Sequence, residues 1–336
     1  MNTKFRVCVI GCGVIAPNHI KALLQNEKTE LVAVCDVIES RAAARAQMGN
    51  CAYYTDYHKM LEEVKPDAVH LCLPHYLHSP VAIDCMRSGA DVLCEKPMDA
   101  SLEAAVRMKE VSEQTGRRLG VIFQNRYNAE NEAILAALKS GEMGKLISLR
   151  GEVCWHRDQA YYDSGDWRSA YATAGGGVII NQAIHTLDLL RYFADAEVVD
   201  VRATVSHHGQ TAAEVEDTAE GLIRFENGTQ ALFYFTINNQ EDEDIRVTIK
   251  CEHARVESRA GDCCIHFSDG HDVRVSDEDH AKEAGAKACY GSSHAVQIAD
   301  FYNDPDGSRA RWMMEEALKT QALVDAILRA SRGVHA

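Results

Sequence analysis

The chain has 336 residues, of which 46% are hydrophobic and 25% charged, so it is long enough for two domains with sizeable cores. Its 35 basic and 50 acidic residues give a formal net charge of −15, which argues against nucleic acid or an anionic membrane surface as a partner. Because no leader-like segment or membrane-length apolar run is visible, the sequence predicts a cytoplasmic protein.

A glycine-rich turn follows the first predicted strand. Phe5–Ile10 is an apolar run typical of a buried strand, and Gly11, Gly13 and Ala16 then form a G-x-G-x-x-A pattern before a helix opened by Pro17. The first glycine permits a tight turn, and the second lets a pyrophosphate approach the backbone at the helix N-terminus. A tight turn in an unrelated α/β protein is the alternative, but this context favours a dinucleotide site.

An acidic residue follows the second predicted strand. Asp36 ends the apolar run Leu31–Cys35 and lies 20 residues after Ala16, a position that suits the ribose hydroxyls of an adenosine. A carboxylate there repels the 2′-phosphate of NADP and favours NAD. Arg41 could accept that phosphate, which leaves NADP as the less favoured cofactor.

Strands and helices alternate as far as residue 124, which predicts an α/β, doubly wound parallel sheet. The predicted strands are Phe5–Ile10, Leu31–Cys35, Ala68–Leu73, Asp91–Cys94 and Leu119–Phe123. The predicted helices are Asn18–Gln25, Ser40–Gln47, Tyr57–Glu63, Pro80–Ser88 and Leu102–Thr115. Ligands bind beyond the carboxyl ends of such strands, so residues 11–16, 74–78 and 95–98 are the candidate binding loops.

The pattern changes after this point, which predicts domains at 1–124 and 125–336. Val178–Phe193 is predicted as one helix, and successive strands follow from Val199. Asn227-Gly228 predicts a type I′ hairpin between Leu222–Phe225 and Thr229–Phe235. Strands joined by tight turns indicate a mostly antiparallel second sheet.

Lys96 in the stretch Cys94-Glu95-Lys96-Pro97 follows a predicted strand, so it should lie at the carboxyl edge of the sheet near the cofactor. A lysine there can hydrogen-bond the oxygen of a substrate alcohol and relay its proton. The alternative is a solvated surface lysine.

The predicted helix 178–193 carries Asn181, His185 and Asp188 at i, i+4 and i+7, on one face. A neutral imidazole accepts an alcohol proton near neutral pH. The alternative is that this face of the helix is exposed to solvent and His185 is an ordinary surface or core histidine. Aromatic and polar residues that suit a polyhydroxylated ligand, or else an interdomain or subunit contact, precede this helix: His156, Arg157, Tyr161, Tyr162, Asp166, Trp167 and Arg168. Cys263-Cys264 and His266 match no standard zinc spacing, so no metal is predicted.

Taken in order, these motifs resemble the Gfo/Idh/MocA family of nicotinamide-dependent sugar oxidoreductases over nearly the whole chain. The matching pieces are the glycine turn with His19, Leu73-Pro74 with His78, Glu95-Lys96-Pro97, Asn125-Arg126-Tyr127, Gly175-Gly-Gly177 through His185 and Asp188, and Tyr290-Gly-Ser-Ser-His294. The resemblance implies a Rossmann domain and an open-faced, mostly antiparallel sheet domain. It also implies a homodimer or homotetramer.

The resemblance further implies reversible oxidation of a secondary hydroxyl on a sugar, glycoside or cyclic polyol, with Lys96 and His185 facing the reacting carbon and Asn181 beside them. The implied cofactor contacts are Gly11, Gly13, Val14, Ile15, Asp36, Arg41, Leu73, Pro74, His78, Glu95, Lys96 and Asn125. The implied substrate contacts are Lys96, Arg126, Tyr127, His156, Tyr162, Trp167, Arg168, Asn181, His185 and His294.

Two positions depart from the family pattern. Asn181 stands where many members have an aspartate, and it cannot stabilise an imidazolium by charge; Leu73 replaces a frequent threonine. Two other functions stay open: an internal redox cycle on retained NAD, as in glycoside cleavage or hydride shuttling between sugars, and a non-catalytic NAD- or sugar-sensing regulator.

Overall fold

The computed structural model describes residues 4–209, 211–259, 261–276 and 293–332. These residues divide into two compact units. The first contains the chain up to Phe123 together with Ser293–Gln321, and the second contains the remainder from Gln124. The sequence instead placed all of 125–336 in one domain.

The first unit contains a six-stranded parallel sheet in the order β3-β2-β1-β4-β5-β6, which confirms the doubly wound α/β fold. Its elements are β1 (Phe5–Ile10), α1 (Ala16–Gln25), β2 (Thr29–Cys35), α2 (Glu39–Gly49), β3 (Ala52–Tyr54), α3 (Tyr57–Val64), β4 (Ala68–Leu71), α4 (His78–Arg87), β5 (Asp91–Cys94), α5 (Leu102–Thr115) and β6 (Leu119–Val121). Sequence analysis missed β3, a three-residue edge strand that is mostly exposed and therefore carries no apolar run.

Local capping explains two helix starts in this unit. The Asp56 carboxylate accepts the backbone N–H of His58 at 2.9 Å, and the Ser101 hydroxyl accepts that of Ala104 at 3.2 Å. Buried β-branched and sulfur side chains such as Val7, Cys8 and Val9 fill the sheet core. Burial raises the pKa of the Cys8 thiol to about 12, so it behaves as a small apolar side chain.

The second unit contains an eight-stranded sheet in the order β14-β13-β12-β11-β7-β10-β9-β8. Its elements are α6 (Ala129–Ser140), β7 (Leu146–Cys154), α7 (Gln159–Asp163), α8 (Tyr171–Ala174), α9 (Val178–Asn181), α10 (Ile184–Ala194), β8 (Val198–Ser206), β9 (Thr218–Phe225), β10 (Gln230–Thr236), β11 (Arg246–Cys251), β12 (Ala254–Arg259), β13 (Asp262–Phe267) and β14 (Asp272–Ser276). Among the described strands of this sheet, only β7 and β10 pair in parallel, so the mostly antiparallel prediction is confirmed.

Two local predictions in this unit are wrong. The predicted single helix 178–193 is broken, because the N–H of Ala183 bonds back to Val178 O at 2.8 Å and α10 then starts a new turn. The β9–β10 hairpin exists, but among the described residues Asn227 has no positive φ, so its turn is not type I′. Gly228, at φ +85°, supplies the left-handed residue.

The closing helices are α11 (Ser293–Tyr302) and α12 (Ser308–Ser331), and α11 packs on α1 in the first unit. Gln297 on α11 joins this helix to the end of β6, because its side-chain amide accepts the N–H of Phe123 and donates to Val121 O, both at 2.9 Å. The guanidinium of Arg118 adds bonds to the carbonyl oxygens of Phe301 and Asp304. None of the helices within the described ranges combines the length and the apolar character that crossing a bilayer requires.

Candidate active site

The glycine turn between β1 and α1 leaves room for a bound cofactor. Gly11 adopts φ +92°, and a Cβ there would lie 2.2 Å from Cys72 O, so no other residue fits. A Cβ added at Gly13 would meet no atom within 4 Å, and the neighbouring Val14 is 85% exposed. The space over Gly13 is therefore open, as backbone contact with a pyrophosphate requires.

The N-terminus of α1 is also available. Ile15, at the cap position, makes no side-chain capping bond, whereas Asp56 and Ser101 cap α3 and α5. Uncapped N–H groups and the helix dipole favour a bound anion. The residues of this turn therefore fit a dinucleotide.

Charged groups flank the turn. The Asp36 carboxylate accepts the N–H groups of Cys12 and Ile38, each at 2.8 Å, which fixes it beside the glycine turn. Arg41 is exposed on α2. Arg45, which sequence analysis did not single out, places Nη2 3.5 Å from Gly13 O. Its spacing of four residues from Arg41 on one helix is the signal that could have identified it.

His78 ties two predicted binding loops together. Its Nδ1 lies 2.7 Å from Pro97 O and its Nε2 2.9 Å from Leu73 O, and the ring is fully buried. Carbonyl oxygens only accept, so both bonds form at once only in the protonated ring. Burial opposes that form by lowering the pKa of His78. The ring holds the loops at Leu73-Pro74 and Lys96-Pro97 rather than lying open to a ligand.

Glu95 is buried and Lys96 is half-buried directly after β5, at the carboxyl edge of the sheet. Oε1 of Glu95 lies 2.9 Å from His19 Nε2 and 3.2 Å from His294 Nε2. His294 was expected to contact substrate, and the structure gives it Glu95 as a partner. Of its motif, residues 290–292 lie outside the described residues.

The last of the three glycines before α9, Gly177, is explained by Glu216, which sequence analysis missed. A Cβ on Gly177 would lie 1.8 Å from Glu216 O, and that carbonyl accepts the N–H of Val178 at 3.0 Å. The Glu216 carboxylate is buried and accepts the N–H of Ile179 at 3.2 Å. It thereby fixes the start of the segment that carries Asn181.

Asn181, His185 and Asp188 do not share one continuous helical face, because Asn181 ends α9 whereas the other two lie in α10. His185 is 9% exposed, so it does not lie on a wet surface. Asp188 forms a buried ion pair with Arg126, whose Nε and Nη2 lie 2.7 and 2.5 Å from its carboxylate oxygens. Arg126 was expected to bind substrate, and the structure engages it with this carboxylate.

Asn125 and Tyr127 flank Arg126 in a buried 3₁₀ segment, Gln124–Tyr127. The carbonyl of Asn125 accepts a bond from Asn131 Nδ2 at 2.8 Å, which joins this segment to α6.

The aromatic stretch before the glycines is anchored to the His185 segment. Gln182 Nε2 donates to Tyr161 Oη at 3.0 Å, and the Arg168 guanidinium lies over the rings of Tyr161 and Trp167 at 5.4 and 4.8 Å. Tyr162 is buried, whereas His156 is exposed with Nδ1 2.8 Å from Asn239 O. Of the predicted substrate contacts here, Trp167 and Arg168 are half-buried.

Sequence profiles match both units. Residues 5–123 match the oxidoreductase family with an NAD-binding Rossmann fold, and residues 132–257 match the GFO/IDH/MocA C-terminal domain. The inositol 2-dehydrogenase of Rubrobacter xylanophilus is 30% identical over 203 residues, which cover 59% of this chain and 54% of that protein. The alignment thus spans about half the length of that relative.

Two further matches are named with other sugar compounds. The D-glucoside 3-dehydrogenase of Escherichia coli is 28% identical, with 68% of each chain covered. The structure of the WlbA dehydrogenase from Bordetella pertussis, in complex with NADH and UDP-GlcNAcA, is 29% identical with a TM-score of 0.88, covering 98% of this chain and 96% of that one. The glycine turn, the two sheets and these matches together show that the chain belongs to the Gfo/Idh/MocA family of oxidoreductases and carries its NAD-binding Rossmann domain.

Proposed function

We propose that the protein reversibly oxidises one secondary hydroxyl of a sugar, glycoside or cyclic polyol. NAD, when bound, supplies the hydride acceptor. His185 accepts the hydroxyl proton through its imidazole, and Asn181 orients that ring without contributing charge. Lys96 donates a hydrogen bond to the substrate oxygen, which stabilises the negative charge that develops there.

One observation carries this proposal. The space over Gly13 is open beside an uncapped helix N-terminus, in a chain whose relatives include dehydrogenases of inositol and of glucosides. The carboxylate of Asp36 next to that turn favours NAD, whereas Arg41 and Arg45 are the cations that a 2′-phosphate would need. Asp36→Ala should weaken NAD binding and relax discrimination against NADP. An unchanged NAD:NADP preference would exclude Asp36 as the selector.

The first test incubates the purified protein with NAD and a panel of free sugars, inositols, sugar acids and glycosides, while reduced nicotinamide is followed by absorbance. Accumulation of NADH with one group supports the proposal and names the substrate class. Copurified nicotinamide without net NADH release would instead support an internal redox cycle. Absence of both signals would favour the non-catalytic sensor.

His185→Ala tests the assigned proton acceptor. We expect kcat to fall about 100-fold or more while NADH affinity stays within a few fold, because the imidazole acts on the substrate hydroxyl. Turnover within a few fold of the parent would exclude this role. Light scattering after size exclusion tests the homodimer or homotetramer that we also propose.

A second candidate substrate is a nucleotide-linked sugar acid, as bound in the WlbA structure. Arg168 supports it, because no carboxylate among the described residues forms an ion pair with this stacked, half-buried guanidinium. A planar guanidinium pairs well with a carboxylate or phosphate.

Arg168→Gln should raise KM for an anionic sugar about tenfold or more and leave KM for a neutral polyol unchanged. Arg150→Gln is the control, since Arg150 lies on β7 and already pairs with Glu152. Equal effects of Arg168→Gln on both substrates would exclude anion recognition by Arg168.

A further inference from the structure

Five buried polar side chains of the first unit form one hydrogen-bonded chain. Tyr302 Oη lies 2.8 Å from His70 Nε2, and His70 Nδ1 lies 2.9 Å from His19 Nδ1. His19 Nε2 lies 2.9 Å from Glu95 Oε1, which His294 Nε2 also approaches at 3.2 Å. None of the five residues is more than 6% exposed. His19 and His294 thus meet at the carboxylate next to Lys96.

The protonation states of His70 and Tyr302 limit how the protons along this chain are arranged. Burial and the neighbouring His19 lower the pKa of His70 well below 6.5, so its ring is neutral and carries one N–H. Burial also raises the pKa of the Tyr302 phenol well above 10, so that phenol keeps its proton. His70 therefore either accepts from Tyr302 at Nε2 and donates through Nδ1 to His19, or accepts from His19 at Nδ1 and donates through Nε2 to the Tyr302 oxygen. His19 Nε2 carries an N–H toward Glu95 in the first arrangement as the neutral tautomer and in the second as the imidazolium.

A neutral His19 with its proton on Nδ1 is the unfavourable case, because it would turn the lone pair of Nε2 toward a carboxylate oxygen 2.9 Å away. Both favourable arrangements therefore leave His19 Nε2–H as a donor to Glu95. A carboxylate oxygen that accepts two N–H donors is held in one orientation.

We infer that Glu95 is a positioning residue for Lys96: an ionised carboxylate, oriented by His19 and His294, that fixes the backbone and the electrostatic field at that lysine. This inference rests on the proposed function of Lys96. The other carboxylate oxygen, Oε2, lies 3.3 Å from the N–H of Lys96. Burial raises the pKa of Glu95, but the bonds and charges of His19 and His294 outweigh it and hold that pKa well below 4.5.

The groups that face Glu95 come from every element around it. Three of these groups come from helices: His19 from α1, His78 from α4 and His294 from α11. The others come from strand ends: His70 and Cys72 from the end of β4, Cys94 from β5, and Lys96 and Asp99 from the loop that follows β5. Of these, Asp99 is the other buried carboxylate, and it accepts the N–H groups of Ser79 and Ser101 rather than those of the histidines. Asp99→Asn is therefore the matched control for Glu95→Gln.

The test titrates Lys96 without requiring turnover. The lysines of the full-length protein are reductively ¹³C-methylated, the Lys96 resonance is assigned with Lys96→Arg, and its midpoint pH is followed by NMR. A negative neighbour favours the protonated amine, so Glu95→Gln should lower the midpoint by about 0.5 pH unit or more. Asp99→Asn should lower it by less than half as much. Circular dichroism establishes that each variant is folded.

The kinetic readout uses the substrate found in the panel assay. Glu95→Gln should lower kcat about tenfold and move the pH limb of kcat to lower pH. A folded Glu95→Gln whose Lys96 midpoint equals the parent value would overturn the inference, as would one equivalent of bound metal in the purified parent. If Glu95→Gln lowers the Lys96 midpoint as expected but the parent protein turns over no substrate, the proposed function is refuted and the assigned effect of Glu95 on Lys96 is retained.

Discussion

The buried ion pair between Asp188 and Arg126 permits a quantitative prediction about stability. Their side chains are 1% and 3% exposed, and Arg191 Nη2 also lies 3.6 Å from the same carboxylate. Asp188→Asn keeps the shape but removes the negative charge that pairs with Nε and Nη2 of the buried Arg126. Removing one partner of such a pair costs about 3–5 kcal/mol in the free energy of unfolding.

An exposed pair provides the control. Arg150 Nη2 and Glu152 Oε1 are separated by 2.5 Å, the same distance as Arg126 Nη2 and Asp188 Oδ1, but their side chains are 61% and 23% exposed. Solvent screens that pair, so Glu152→Gln should cost about 0–1 kcal/mol. The two N–O distances are equal, so the comparison holds that distance constant while burial and the number of contacts differ.

Urea unfolding followed by tryptophan fluorescence measures both costs. In a Trp312→Phe background the remaining tryptophans, Trp155 and Trp167, both belong to the second unit, which also contains both ion pairs. With a denaturant dependence of about 3 kcal/mol per molar, Asp188→Asn should lower the midpoint by about 1 M or more. Equal losses in the two variants, or a loss below about 1 kcal/mol in Asp188→Asn, would refute the argument from burial.

The remaining predictions concern two glycines, Glu216 and His70. Gly13→Ala should change the free energy of unfolding by less than about 0.5 kcal/mol, since its Cβ meets no atom within 4 Å. The same variant should bind NADH about tenfold more weakly in a fluorescence titration. Unchanged NADH affinity would contradict the assigned cofactor site. Gly177→Ala should destabilise by about 3 kcal/mol or more in thermal melts, because its Cβ would lie 1.8 Å from Glu216 O, and Gly13→Ala is the control. Burial raises the pKa of Glu216 above 4.5, so the contribution of this group to stability is complete below the pKa of the unfolded chain and is lost as pH rises. The free energy of unfolding of Glu216→Gln should therefore increase relative to that of the parent as pH rises from about 4.5 to 8. A difference between the two proteins that does not change with pH would disprove this. Burial holds the pKa of His70 well below 6.5, so the contribution of this group to stability is present above about pH 6.5 and is lost as pH falls. In His70→Gln the free energy of unfolding, measured by urea titration, should therefore fall less steeply on the acid side. The same acid dependence as in the parent would contradict the assignment.

Features set by neighbouring residues could be predicted from the sequence. Gly11 needs a positive φ within its own turn, and that turn was predicted. Asp56 and Ser101 cap helices that begin at the next residue, and both helix starts, Tyr57 and Leu102, were predicted correctly. The three-residue strand β3 was not found, because an exposed edge strand has no apolar pattern. The break between α9 and α10 arises from a single backbone bond at Ala183, which no residue type signals.

The parts of the site that depend on distant residues could not be predicted. Glu95 is 76 residues from His19 and 199 residues from His294, so no window of sequence contains the three together. Glu216 likewise acts on Gly177 through its backbone oxygen, which leaves no mark in its residue type. The motifs identified Lys96 and His185 as candidates, but their supporting groups come from tertiary structure.

The membership of α11 in the first unit has a consequence for synthesis on the ribosome. The strands β1 to β6 emerge first, but the groups that satisfy Phe123 N–H and Glu95, namely Gln297 and His294, are translated only after the whole second sheet. At about 5–20 residues per second, that interval is on the order of ten seconds or more. During this time the nascent nucleotide-binding unit has Glu95 bonded to only one of its two histidines and an uncovered surface where α11 will pack, so we expect it to be a chaperone substrate until translation passes α11.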